Sequence, residues 1–208
     1  IIPTSIISSY SHYKRGSLDA SVLKKLVPGV VIGVIIGAIG SGYFKGEVLT
    51  AVFGVIAMIV ALNMAFKKEE FSLGNGLPGP VGSGFLGVFV GGTSTLMGIG
   101  GGTLGVPLLS ALRIPMITAV GTGAALGFVI SVPGAIGFLI NGIGVESRPP
   151  FTIGYVNLMG LALIIPATML MAPFGARIAH AINSKLLKKI FACFLFITSL
   201  RMFYGLFN

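Results

Sequence analysis

The sequence predicts an all-α fold, a polytopic bundle of transmembrane helices built from two related repeats, with a glycine-broken helix in the second. Only 9% of the 208 residues are charged and the mean hydropathy is +1.00, whereas a soluble domain carries roughly 25% charged residues. The uncharged runs are too long for barrel strands and lack their alternation. Because backbone groups in lipid must pair within their own segment, these runs form helices.

Charged residues, glycines and prolines divide the chain into helical segments and loops. Residues 1–10 are apolar but too short to span, so we interpret them as the end of a helix, followed by a basic loop. The later segments predicted to be helical are 26–44, 48–66, 81–97, 103–112, 119–140, 151–171 and 190–207. The segment 103–112 covers only half a membrane, at about 1.5 Å per residue. The glycine cluster that precedes it therefore breaks a helix inside the bilayer.

Two regions of the chain match each other and predict the repeat. Residues 37–66 align without gaps onto 175–204, at a shift of 138, with seven identical pairs such as Phe53 and Phe191. Pro3 and Pro133 correspond at a shift of 130. We therefore divide the chain into the C-terminal part of a first repeat (1–66), a linker loop (67–80) and a second repeat (81–208). On this division, the counterpart of the glycine break is expected before Ile1, which would make the chain an N-terminally truncated fragment.

The basic loops predict the topology. Loops at 11–25, 67–70 and 177–189 are expected to share the cytoplasmic side of the cytoplasmic (inner) membrane, as in a multi-pass protein with positive-inside loops. They share it if the glycine break and the segment 103–112 form a hairpin that enters the membrane and returns, which makes the repeats inverted. If that segment crosses once, the loop at 177–189 falls outside. We favour the hairpin.

The glycine stretch is the predicted solute site. Glycines let backbone N–H groups converge on one point, and the short helix after them adds its positive dipole end, so a small anion can be held without a charged side chain. Thr93 and Ser94 could add further hydroxyl donors. The alternative is that the glycines only permit close helix packing, which we prefer for the row Gly29, Gly33 and Gly37. The predicted substrate-binding residues are Thr95, Gly98, Gly100, Gly101, Gly102, Thr103, Pro107 and Thr122.

Other chemistries find little support in the sequence. Residues 100–105 match the glycine pattern of dinucleotide sites, but no strand precedes them and no acidic residue occurs between Glu70 and Glu146. His12 and His180 fall at predicted loops or ends, and we expect no serine–histidine pair or paired acids at membrane depth. Cys193 is the single cysteine, and no cluster predicts a metal. We therefore expect neither an enzyme nor a cofactor.

Several motifs resemble the sulfite exporter TauE/SafE family. They are the run at 98–102, Val106-Pro107-Leu108-Leu109, Ala119-Val120-Gly121-Thr122-Gly123 and the loop at 13–19. Members of that family are built as two related halves, each with a glycine-rich motif, and this chain lacks the first motif. The resemblance implies a secondary transporter, an exporter of small sulfur-containing or organic anions such as sulfite or sulfonates. The alternative is a non-transporting membrane scaffold or assembly protein.

The predicted partners follow from the same reading. They are the lipid bilayer and a small anionic solute, and nucleic acid is not expected because the basic residues flank apolar spans. Whether the protein forms a homodimer is left open.

Overall fold

The structure is a computed structural model that describes residues 1–41, 43, 46–66, 74, 76–145 and 149–207. The described residues form a helical bundle, as predicted, with one two-stranded hairpin. In chain order the elements are α1 (Ile2–Lys14), α2 (Ala20–Gly40), α3 (Gly46–Phe66), α4 (Pro80–Leu96), α5 (Gly101–Ala111), α6 (Met116–Asn141), β1 (Thr152–Ile153), β2 (Val156–Asn157), α7 (Leu158–Ala181) and α8 (Ser184–Phe207). Four of these helices, α2, α3, α6 and α7, are long and apolar enough to cross a membrane.

Small residues bring α2 and α4 into backbone contact. A Cβ on Gly29, Gly33 or Gly37 would lie 2.2 to 2.7 Å from a carbonyl oxygen of α4, closer than atoms can approach. Since the contacts advance in the same direction along both helices, α2 and α4 are parallel. The packing role predicted for this glycine row is confirmed, and it depends on the missing side chains.

The segments α4 and α5 form the hairpin that the sequence favoured. The helix α6 runs parallel to α2, with Thr122 beside Asp19 at one end and the Asn141 amide donating to the Ala38 carbonyl at 2.7 Å at the other. The helix α5 packs against α6 in the opposite direction, since Gly101 meets Gly127 and Val106 meets Gly123. The chain thus rises in α4, turns at the glycines and returns in α5.

Basic residues collect at the end of the bundle where α2 begins, which we call the basic end. The opposite end, where α2 and α6 finish, is the far end. Among the described lysines and arginines, all except Arg201 lie at or near the basic end, on the last turns of α1 and α7, the first turns of α2 and α8, and the turn after α5. Positive residues mark the cytoplasmic side, so the basic end is the one expected to face the cytoplasm. The predicted loop at 67–70 lies outside the described residues.

Two predicted loops are shorter than expected. The loop at 11–25 reduces to 15–19, because α1 continues to Lys14 and α2 begins at Ala20. The Asp19 carboxylate accepts the Ser21 and Val22 amides and so caps α2. The loop at 177–189 reduces to residues 182–183, because α7 runs to Ala181 and α8 begins at Ser184.

The start of the predicted helix 151–171 is wrong. Residues 152–157 form an antiparallel hairpin instead, with Thr152 paired to Asn157. Gly154 takes a φ of +58° at its turn, which glycine adopts without strain. The Asn157 side chain then caps α7 by accepting the Gly160 amide at 2.8 Å. The helix therefore begins at Leu158 and extends ten residues beyond the predicted end.

The helices α3 and α8 pack antiparallel and bury matching positions. The Ser199 hydroxyl near the end of α8 donates to the Gly54 carbonyl near the start of α3 at 2.7 Å. Buried residues fall at Gly54, Ala57 and Ala61 on α3 and at Ala192, Leu195 and Ser199 on α8, a constant shift of 138. Antiparallel packing of equivalent helices suits an inverted repeat. The repeat itself, with its boundaries at 66 and 80, stays a prediction.

Candidate functional site at the glycine turn

The first half of the glycine turn is a helix terminus that requires Gly98. This residue has a φ of +63°, a region that other residues enter at a cost. Its N–H donates to the Thr95 carbonyl at 3.1 Å, and the Ile99 N–H donates to the Ser94 carbonyl at 2.9 Å. This pair of bonds is a Schellman motif, which satisfies the last carbonyls of α4 and ends the helix.

The second half of the turn opens α5 two residues earlier than predicted. The helix starts at Gly101 rather than Thr103, and Gly100 at its N-cap offers no side-chain hydrogen bond. The Thr103 N–H donates to the Gly100 carbonyl at 3.4 Å, and the N–H groups of Gly101 and Gly102 precede the intrahelical bonds. Gly102 has nothing within 4 Å of its Cβ position, so this side of the turn has free space, whereas Gly101 packs on α6. The geometry suits an anion at the positive end of the helix dipole.

Gly101 serves a different purpose from its neighbours. A Cβ there would lie 2.6 Å from the Gly127 nitrogen and 2.7 Å from the Leu126 carbonyl carbon of α6. The packing alternative therefore holds for this glycine. Within this cluster, Gly98 adopts the left-handed conformation that ends α4, and Gly101 allows close packing against α6. Gly100 and Gly102 leave space at their Cβ positions.

A large cavity adjoins the turn. Its volume is about 1020 Å³, and it is bounded by the end of α4, the start of α1, the second half of α6, the first half of α7 and the connection between α2 and α3. It reaches from Ser94, Thr95 and Gly98 to Tyr43 and Tyr155 at the far end, where both tyrosines are exposed. The cavity therefore approaches the side of the membrane opposite the basic end.

The lining of the cavity carries no charged side chain among the described residues. Most of it is apolar, with a few hydroxyl and amide groups near the turn and the far end. An anion in this cavity would therefore meet hydroxyls and backbone N–H groups of the described residues rather than charged side chains. Such neutral donors avoid the cost of a charged side chain within the membrane.

Ser94 adjoins this cavity and carries an unpartnered hydroxyl. Its side chain is fully buried, and within the described part of the chain its hydroxyl has no hydrogen-bond partner. A buried hydroxyl without a partner costs about 1–3 kcal/mol, which a ligand could recover. Thr95 lines the same cavity, but its hydroxyl already donates to the Gly91 carbonyl at 2.8 Å. The sequence placed both hydroxyls at the turn but could not show which one is free.

Of the predicted substrate-binding residues only Thr95 and Gly98 line the cavity, and Gly100, Gly101 and Gly102 lie just beyond it. Thr103 is half-buried in the first turn of α5, and Pro107 is buried in the same helix. Thr122 is fully buried near the basic end, where its hydroxyl accepts the Asp19 N–H at 3.2 Å. Thr93 donates to carbonyls of its own helix, α4. The structure thus brings Thr95, Gly98 and the start of α5 to one place, and leaves Pro107 and Thr122 elsewhere.

A second polar cluster lies at the basic end, and the sequence did not predict it. The Ser17 hydroxyl is 2.9 Å from His12 Nδ1 and 3.0 Å from His180 Nε2, in the turn after α1 and not at the membrane depth for which we expected no such pair. His12 is 2% exposed. Burial, aided by the nearby His180 and then Arg15, lowers the pKa of His12 to about 4. The contact joins residues 163 to 168 apart in sequence, which spacing alone does not reveal.

The fold and site define a multi-pass membrane protein with a broken helix beside a cavity whose described lining carries no charged side chain. The family model for the sulfite exporter TauE/SafE matches residues 1–202, and the chain belongs to that family. It is 27% identical over 203 residues to a "Probable membrane transporter protein" of Haemophilus influenzae (strain ATCC 51907 / DSM 11121 / KW20 / Rd), covering 98% of this chain and 77% of the relative. No solved structure matches this chain.

Proposed function

We propose that the protein is a secondary transporter that exports small sulfur-containing or organic anions, such as sulfite or sulfonates, across the cytoplasmic membrane. The observation that carries the proposal is the cavity at the glycine turn, whose described lining has no charged side chain and includes Ser94, with its unpartnered hydroxyl, and Ile99, two residues before α5 begins. Membership of the sulfite exporter family supports transport. The relative from Haemophilus influenzae bears a transporter name, which agrees.

In this proposal the anion lies between the end of α4 and the start of α5. The Ser94 hydroxyl donates one hydrogen bond, and the open first turn of α5 offers backbone N–H groups. The apolar remainder of the cavity accommodates the organic part of a sulfonate. Broken helices of this kind hold anions in other transporters through their half-helix N-termini.

The test is a flux measurement on the full chain in liposomes. Vesicles are loaded with sulfite or with a sulfonate, and efflux is followed with and without the protein. We expect saturable efflux that competing sulfonates inhibit. A membrane scaffold would insert equally well and move neither anion, so protein-independent efflux of every anion tested would overturn the proposal.

A further inference from the structure

We propose that His12 and His180 form a proton-binding site that controls the basic end of the transport path. The two rings are neutral while α1 and α7 are joined, as in this structure, and take up one proton when the helices separate. The proposal rests on the proposed function for the statement that the cavity is the transport path. We call His12, Ser17 and His180 the latch. The evidence for the latch is its hydrogen-bond geometry, which does not depend on the proposed function.

The three members of the latch are within hydrogen-bond reach of one another. His180 Nε2 lies 3.3 Å from His12 Nδ1, and the Ser17 hydroxyl bridges the two. The Ser17 hydroxyl also lies 3.2 Å from the His12 carbonyl. The contacts at the hydroxyl are satisfied when the N–H groups of both neutral rings donate to it and it donates to that carbonyl. Two charged rings at this separation would repel strongly, so the pair holds at most one proton without separating.

The helices that meet at the latch both reach the cavity. The other end of α1, at Ile1, Ile2 and Pro3, lines the cavity, and so do Leu161 and Ile164 of α7. Between these points the Thr4 hydroxyl donates to the Thr168 hydroxyl at 2.7 Å. Separation of α1 from α7 at the basic end would therefore open a path from the cytoplasm towards the cavity floor.

The charges around the latch disfavour a proton in the joined state. The turn after α1 brings Arg15, which acts on both rings, and Asp19, whose carboxylate is bonded to the first amides of α2. The packed residues of α6, Gly121 and Thr122, cannot titrate. On α7, Arg177 lies one turn before His180 and adds a second cation.

The sign of the pH effect follows from the depressed pKa of His12. Burial holds that pKa at about 4 in the joined state, and exposure to water would return it to about 6.5. The separated state therefore binds more protons. The joined state is fully favoured above pH 6.5 or so, and loses up to about tenfold in relative population for each pH unit between 6.5 and 4.

The experiment uses the fact that the chain contains only two histidines. The full chain is labelled with ¹³C-histidine, and the two ring signals are titrated by NMR without any solute. In parallel, spin labels at Tyr13→Cys and Ile178→Cys, both exposed sites, report the α1–α7 distance in a Cys193→Ser background. We expect one ring to titrate well below 6.5 and the distance to lengthen as the pH falls below 6.

The variants separate the latch from a general effect of charge. His180→Gln, at a half-buried position, should raise the midpoint of His12 and flatten the pH dependence of the distance, and His12→Gln combined with it should abolish that dependence. Arg177→Gln removes a cation from the same helix end, and this variant should keep the pH dependence of the distance. Independent titration of both rings near 6.5, or an unchanged pH dependence in the double variant, would overturn the proposal. Because no anion is present, a failure of transport leaves this result intact.

Discussion

At the scale of single residues, the free hydroxyl of Ser94 is the sharpest expected determinant of anion binding. A hydrogen bond to a charged group contributes about 1.5–3 kcal/mol. We therefore expect Ser94→Ala to raise the KM for efflux by about tenfold or more, since 1.4 kcal/mol is tenfold in an equilibrium constant. The KM of each variant is obtained from liposome efflux rates at varied sulfite or sulfonate concentration.

Ser131→Ala is the matched control for this change. Ser131 lines the same cavity, but its hydroxyl donates to the Phe128 carbonyl at 3.2 Å. We expect the KM of Ser131→Ala to stay within about twofold of the wild type, because a hydroxyl that already donates within its own helix contributes less to anion binding. Equal effects of the two variants would place the anion away from the end of α4.

The glycines of the turn should differ in their effect on stability. A Cβ at Gly98 forces an L-residue into a left-handed conformation at about 1–2 kcal/mol, whereas Gly102 has open space around its Cβ position. Gly98→Ala should therefore lower the thermal midpoint in detergent, and Gly102→Ala should raise it or leave it unchanged, since alanine is the better helix former. A larger loss with Gly102→Ala would contradict the assignment.

The sequence predicts a functional role for this glycine turn but does not show which role each glycine has. The spacing of Gly98, Gly101 and Gly102 is visible in one chain, yet their roles depend on α6, which an added Cβ would strike at Gly101 and not at the other two. The latch was missed for the same reason, because His12 and His180 meet only after the chain has folded. Contacts between distant residues are set by tertiary packing, which periodicity does not report.

At the scale of elements, the contact between α2 and α4 makes a prediction about packing. A Cβ at Gly33 would lie 2.2 Å from the Val88 carbonyl oxygen, whereas a Cβ at Gly84 meets nothing within 4 Å. Overpacking costs about 1–3 kcal/mol. Gly33→Ala should therefore lower the thermal midpoint clearly, while Gly84→Ala on the partner helix should not. The comparison is made by thermal unfolding in detergent, and a harmless Gly33→Ala would mean that the helices stand farther apart.

Element boundaries were predictable where apolar periodicity ends in charge or in a cap, and not elsewhere. The helix α3 was placed within two residues at its start and matched at its end, because charged residues flank it. Residues 152–157 carry no charge and continue the uncharged run of α7, so the charge pattern could not distinguish the hairpin from a first helical turn. The lysines of α8 lie within a helix because long cationic side chains can extend to the interface while the backbone stays helical.

At the scale of the whole molecule, the hairpin of α4 and α5 determines which side every later loop occupies. If these two helices enter and return, the junction of α7 and α8 lies on the same side as the start of α2. If α5 crossed to the other side, that junction would lie with the far end. The bundle geometry, with Gly76 N–H donating to the Leu112 carbonyl at 2.9 Å, joins the two ends of the hairpin on one side.

Single cysteines in a Cys193→Ser background test this arrangement in intact cells. Ser21→Cys at the start of α2 and Ser184→Cys at the start of α8 are exposed sites of the basic end, and Ile143→Cys is an exposed site of the far end. A thiol reagent that cannot cross the membrane should label Ile143→Cys from outside, and should reach Ser21→Cys and Ser184→Cys only after the cells are opened. The two basic-end sites share one outcome because both ends of the α4–α5 hairpin lie on their side. Labelling of Ser184→Cys from outside, with Ser21→Cys protected, would show that the chain crosses once at the glycine turn and would reject the hairpin.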